Sequence, residues 1–227
     1  MFDVAIEAMN ASLRKLGNPS SLHTEGRSTR KDVEDARESI ARAVGCQASE
    51  VIFTGSGTEA NNAAIKGLFW NSDQKVILVS SIEHHAVLDP AHWLAEHEGA
   101  EIIEIPVTAS GLIDLDFLKK IVQERANEIA LISVMHSNNE TGVIQPIADV
   151  VKIAGVIPVH SDAVQSFTKV PLSFKDLGLF AMTISGHKVG GPIGVGVLVL
   201  RRGIDIPALI HGGGQEREIR SGTVNAP

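Results

Sequence analysis

The sequence predicts an α/β protein: a mostly parallel sheet of about seven strands with helices on both faces. Three observations carry that expectation. Short runs rich in Val, Ile and Leu are almost continuously apolar, as strands buried on both faces must be. Amphipathic segments of helical period lie between them. The regular alternation of the two is the pattern of parallel strands joined by crossover helices.

In chain order the strand candidates are "VIFTG" (51–55), "KVILVSS" (75–81), "AEIIEIPV" (100–107) and "IALISVMH" (129–136), then "IPVHSDA" (157–163), "FAMTIS" (180–185) and "GVGVLVL" (194–200). The segment "TRKDVEDARESIARAVG" (29–45) puts Val33, Ala36, Ile40 and Val44 on one face, with Gly45 as a stop signal. Helices are also predicted at 58–70, 85–99 and 115–126, the second kinked or broken at Pro90. No repeat, low-complexity tract or linker interrupts the pattern, so residues 1–227 read as one domain.

Composition excludes several classes. Hydrophobic residues make up 44% and charged residues 21%, which rules out disordered and fibrous chains. The net charge of −7 and the lack of a Lys/Arg block argue against nucleic acid or an anionic membrane surface as the main partner. Late apolar stretches such as "VGVLVL" are too short to span a bilayer, and "MFDVAIEAMNASLRK" lacks the parts of a signal peptide. One cysteine, Cys46, allows no internal disulfide and fits a reducing compartment. The expected location is the cytoplasm.

In sheets of this kind ligands bind beyond the carboxyl ends of the strands. Small residues in "FTGSGTEANN" (53–62), between a strand and a helix, make Gly57 and Thr58 candidates for holding a phosphate, though an ordinary tight turn has the same composition. His84 in "SIEHHAVL" could stack on a flat ligand or move protons, or simply cap a helix. No spacing completes a zinc site around it, so no metal is expected. Asp162 in "VHSDAVQS" ends an apolar strand, where a carboxylate is costly without a cation or donors, though a structural carboxylate capping the next segment reads the same. Gln165, three residues on, can face the same side if a turn begins. Lys188 in "TISGHKVGGPIGVG" follows what reads as a buried strand. It admits three readings: a salt-bridged core lysine, a phosphate ligand, or an amine whose pKa burial lowers until it can attack a carbonyl. An amine that forms an imine, a carboxylate and a phosphate cradle are together what pyridoxal 5'-phosphate requires.

On "GNPSSLH", "FTGSGTEANN", "EHHAVL", "MHSNNETGVIQPI", "HSDAVQS", "SGHKVGGPIGVG" and "GGGQEREIRSGT", the chain resembles the cysteine desulfurases. These belong to the class V aminotransferase group of fold-type-I pyridoxal-phosphate enzymes. The resemblance implies that Lys188 bonds to the cofactor, that His84 stacks on its ring and assists proton transfer, and that Asp162 pairs with the ring nitrogen. It implies further that Gln165 donates to the ring oxygen and that Asn139 lies near that oxygen and the substrate carboxylate. Gly57, Thr58, Ser185, Gly186 and His187 would hold the phosphate, and Thr223 would reach the phosphate of the other subunit of a homodimer. The implied reaction takes L-cysteine to L-alanine and leaves persulfide sulfur for an iron–sulfur scaffold or another acceptor protein.

Family members begin earlier and continue past "RSGT" into a smaller domain that carries the sulfur-accepting cysteine and an arginine for the substrate. The expectation is therefore that residues 1–227 are the cofactor-binding large domain of a longer enzyme, with exposed apolar surface and an unpaired sheet edge that favour aggregation. Cys46, at a helix end away from the strand-end crevice, reads as a small core hydrophobe. Two further readings stay open: another reaction on this scaffold, such as selenocysteine lysis, aminotransfer or β-elimination, and a non-catalytic subunit that binds the cofactor.

Overall fold

The computed structural model describes residues 1–15 and 17–227. Seven strands form one sheet: β1 (Val51–Thr54), β2 (Val76–Ser80), β3 (Glu101–Ile105), β4 (Ile129–Ser133), β5 (Val159–Asp162), β6 (Ala181–Ser185) and β7 (Gly196–Leu200). Their order is β1-β7-β6-β5-β4-β2-β3. Strands β2 to β6 pair in parallel, whereas β7 runs antiparallel to both β6 and β1. The reason lies in the connection. Residues 186–195 join β6 to β7 directly, too short a link for the crossover that a parallel return needs.

The helices are α1 (Asp3–Leu13), α2 (Thr24–Val44), α3 (Gly57–Trp70), α4 (His85–Glu98), α5 (Leu115–Arg125), α6 (Ile147–Ala154) and α7 (Phe174–Leu177). Successive strand residues feed opposite faces of the sheet. Ile77, Val79, Leu131 and Leu198 pack with Ala64, Leu68, Val87 and Leu94 of α3 and α4. Val76, Leu78, Ile132 and Val199 pack with Val44, Leu118, Val150 and Phe174 of α2, α5, α6 and α7. The result is a three-layer α/β/α arrangement with a core on each face of the sheet.

Some elements differ from the sequence-based expectation. Of the kink or break expected at Pro90, the break does not occur: Pro90 lies inside α4, and the helix runs on both sides of it. Val87, Pro90, Ala91 and Leu94 are all buried there, so packing holds the turn despite the missing N–H. Helix α1, which the hydrophobic pattern did not announce, buries none of its residues. Its attachment is through Phe2, whose amide donates to Gly190 O (2.8 Å) and whose ring fills the space a Cβ at Gly190 would take.

Candidate functional site

The carboxyl ends of β1, β2, β4, β5 and β6 open on one cavity of about 380 Å³. It is lined by Gly57, Thr58, His84, Asn139, Asp162, Gln165, Ser185, His187 and Lys188 among others. These nine come from separate stretches of the chain. A larger hollow of about 980 Å³ borders α2 and residues 213–217, but it is open and contains none of them. Chemistry, not volume, marks the site.

Helix α3 begins at the end of β1, and Ser56 caps it by accepting a hydrogen bond from Glu59 N at 3.0 Å. The first amides of the helix, those of Gly57 and Thr58, have no intrahelical acceptor and carry the positive end of the helix dipole. A Cβ at Gly57 would lie 3.2 Å from Val164 Cγ2 and 3.3 Å from Ser185 Cβ, so glycine lets the helix start close against β6. Ser185, buried at the end of β6, shares a 2.8 Å hydrogen bond with His187 Nδ1.

Asp162 ends β5 and is 6% exposed. Its Oδ2 accepts from Asn61 Nδ2 (2.7 Å) and its Oδ1 from Val164 N (2.9 Å). Burial pushes its pKa above the ordinary carboxylate value, while these two hydrogen bonds and the nearby His84 pull the other way. Asn61 was missed by the sequence reading. It is fully buried on a helix whose other inward residues are apolar, and its Oδ1 has no partner among the described residues.

His84 is the N-cap of α4, and its Nδ1 accepts from Ala86 N at 3.0 Å. An accepting Nδ1 leaves the neutral ring its proton on Nε2. The next residue back, Glu83, is buried. Its Oε1 accepts from Ser80 Oγ (2.8 Å) and from Met135 N, and its Oε2 is unpaired among the described residues. Burial, reinforced by Asp162, raises its pKa to about 8. Gln165 Oε1 accepts from Lys169 Nζ at 3.0 Å, which leaves the Gln165 amide nitrogen as a donor.

Lys188 requires a correction. The sequence suggested a buried amine, yet the strand ends at Ser185, and residues 186–189 form a short 3₁₀ turn that carries an exposed Lys188 over the rim of the cavity. Among the described residues no carboxylate within ion-pair distance neutralises it, so the reading as a salt-bridged core lysine is withdrawn. Gly186 forms this turn, and its amide donates to Val195 O (3.0 Å). Thr223 is exposed and lines a different cavity, with Phe53, Pro192 and Arg220.

Cys46 lies elsewhere, in a hollow with Phe174 and Leu179, and burial pushes its thiol up to about 12. Among the described residues no group of three or more His, Cys, Asp or Glu side chains could hold a metal. No described helix is long and apolar enough to cross a membrane.

Sheet order, strand-end cavity and the set of lysine, buried carboxylate and open helix terminus define the class: an α/β scaffold of fold type I. The chain belongs to the class V aminotransferase family, whose model, described as "Aminotransferase class-V", matches residues 1–225. It is 50% identical over 230 residues to the IscS-like cysteine desulfurase of Mycobacterium tuberculosis, a match covering 98% of this chain and 58% of that protein. It is 48% identical to the cysteine desulfurase IscS of Dictyoglomus turgidum, over 96% of this chain and 56% of that one. Two solved structures superpose with a TM-score of 0.94. They are a "NifS-like protein", 38% identical, covering 100% of this chain and 63% of its own, and "SspA in complex with cysteine", 36% identical, covering 100% and 66%. The chain thus spans just over half the length of the curated relatives it matches.

Proposed function

We propose that residues 1–227 are the pyridoxal-phosphate-binding large domain of a cysteine desulfurase, converting L-cysteine to L-alanine with transfer of the sulfur to an acceptor thiol. The observation that carries this reading is the convergence of Lys188, Asp162, His84 and the α3 N-terminus on one cavity. The donor set fits the cofactor: an amine with no ion pair among the described residues, a buried carboxylate and a helix terminus whose first amides have no intrahelical acceptor.

When bound, the cofactor supplies an electron sink that works best with its ring nitrogen protonated. Asp162 holds the proton at that nitrogen, and its own two donors keep it in place. His84 covers the ring, fixed in orientation by its cap bond to Ala86 N. The amides of Gly57 and Thr58 hold the phosphate with Ser185 and His187, while the Gln165 amide nitrogen meets the ring oxygen. Asn139 orients the substrate carboxylate. Lys188 Nζ would anchor the cofactor, and Lys188 or His84, which line the same cavity, would take the proton from the substrate Cα. Gly186 sets the turn that aims it, and Thr223 serves the phosphate of a second subunit in a homodimer.

Cys46 is no candidate for the acceptor, because burial keeps its thiol protonated and it lines a different hollow from the cavity. The persulfide therefore forms on another thiol, from which sulfur passes to an iron–sulfur scaffold in the cytoplasm.

The test supplies the longest natural form of the protein with pyridoxal phosphate, L-cysteine and dithiothreitol as sulfur acceptor and reductant. Alanine and sulfide should appear in equal amounts, and His84→Ala should slow their release by about 10²-fold or more. Pyruvate in place of alanine would indicate β-elimination, and absence of turnover with bound cofactor would indicate a binding subunit. Either result overturns the proposal.

A further inference from the structure

The N-terminal turn of α3 carries a carboxylate beside the place proposed for a phosphate. Glu59 folds back along the turn, and its Oε2 accepts from Gly55 N at 2.9 Å. A bare anion there would repel a phosphate held by the neighbouring Gly57 and Thr58 amides. The structure places a cation on it: Arg220 Nε donates to Glu59 Oε1 at 2.8 Å, with the two side chains only 26% and 22% exposed.

Arg220 arrives from far along the sequence on a segment that is itself firmly held. Glu216 accepts from both terminal nitrogens of Arg37 (2.8 and 2.6 Å) and from Phe53 N (2.7 Å). Arg217 donates to Leu200 O and Ile204 O. Residues 216–218 all have positive φ, a backbone state that non-glycine residues keep only where the surroundings over-determine it. An independent sign that a polar ligand belongs in this cavity is Asn61, 1% exposed, lining it with an Oδ1 that has no partner among the described residues.

We propose that Arg220 is a positioning residue of the phosphate site: by neutralising Glu59 it makes the α3 N-terminus a net electropositive cradle. Glu59 contributes the turn geometry through Gly55, and Arg220 removes the electrostatic penalty of having it there. This inference rests on the proposed phosphate site.

The experiment compares dissociation constants for pyridoxal 5'-phosphate and for pyridoxal, which lacks the phosphate, measured by absorbance. Wild type, Arg220→Gln and the double variant Glu59→Gln/Arg220→Gln are compared. Arg220→Gln should weaken pyridoxal phosphate by about tenfold and leave pyridoxal unchanged. The double variant should recover most of that loss, since the side-chain amide introduced by Glu59→Gln still offers an oxygen to Gly55 N and carries no charge. Raising salt to about 0.5 M should shrink the difference between Arg220→Gln and wild type. Equal weakening of both ligands, or a double variant as weak as the single one, overturns the inference while the phosphate site stands. A wild-type protein that does not prefer the phosphorylated ligand overturns both.

Discussion

Glu83 and His160 show how single buried residues set the pH dependence of stability. Both are buried and titratable, and their effects on stability run in opposite directions. Glu83 has its pKa raised to about 8 by burial, so the folded protein holds a proton that the unfolded chain releases near the ordinary value of 4.5. Its stabilising contribution is therefore complete at low pH and is lost as pH rises towards 8. His160, fully buried between Ser133 Oγ (2.9 Å) and Thr183 Oγ1 (3.1 Å), is depressed to about 3 by burial. Its contribution is present above its ordinary value of 6.5 and is lost as pH falls towards 3. The cofactor-free protein should consequently be most stable between these limits. Glu83→Gln should flatten the alkaline side, sparing a few kcal/mol of the loss between about pH 5 and 9. Denaturant melts of both proteins across that range check it; parallel curves would mean that Glu83 is ionised throughout. Of the residues lining the cavity, Gly57, Thr58, His84, Asp162, Gln165 and Lys188 were legible from strand-end composition, whereas Asn139, Ser185 and His187 came only from the resemblance. Glu83 and Asn61 were not singled out. Nothing in their immediate neighbours reveals that the fold brings them both near Asp162.

At the scale of elements, the strands and long helices were legible to within a few residues. Nearly continuous Val/Ile/Leu runs have little alternative to the middle of a covered sheet. Weakly buried elements were not. Helix α1 has no buried face to impose a period, and α7 is a single turn fixed by Ser173, whose Oγ accepts from Asp176 N. The direction of β7 also escaped the pattern, because strand sense depends on the length of the connection rather than on strand composition. The element that matters most for the site is α3, whose first turn depends on Ser56. Ser56→Ala removes the acceptor for Glu59 N and should cost about 1 kcal/mol in a denaturant melt. Ser56→Thr should restore most of it. A neutral alanine variant would show that the Glu59–Gly55 bond alone holds the turn.

On the scale of the whole molecule, the fold gathers residues far apart in sequence around the carboxyl edge of one sheet. It also manages its borders. The unpaired edge expected from the sequence is partly covered at β1: Glu216 accepts from Phe53 N, and Arg37 Nη1 donates to Val51 O (2.7 Å). At the opposite border Arg125 forms a paired contact with Glu101 of β3 (2.6 and 2.7 Å), placing charge on the other edge strand. What the molecule holds ready is an amine, Lys188, on a turn at the mouth of the cavity with no opposite charge beside it among the described residues. The most direct measurement is therefore peptide mapping by mass spectrometry after the protein is mixed with pyridoxal 5'-phosphate and reduced with borohydride. A single phosphopyridoxyl group on Lys188, absent from Lys188→Ala, is the predicted result. Label spread over surface lysines, or unchanged labelling in the variant, would contradict the account.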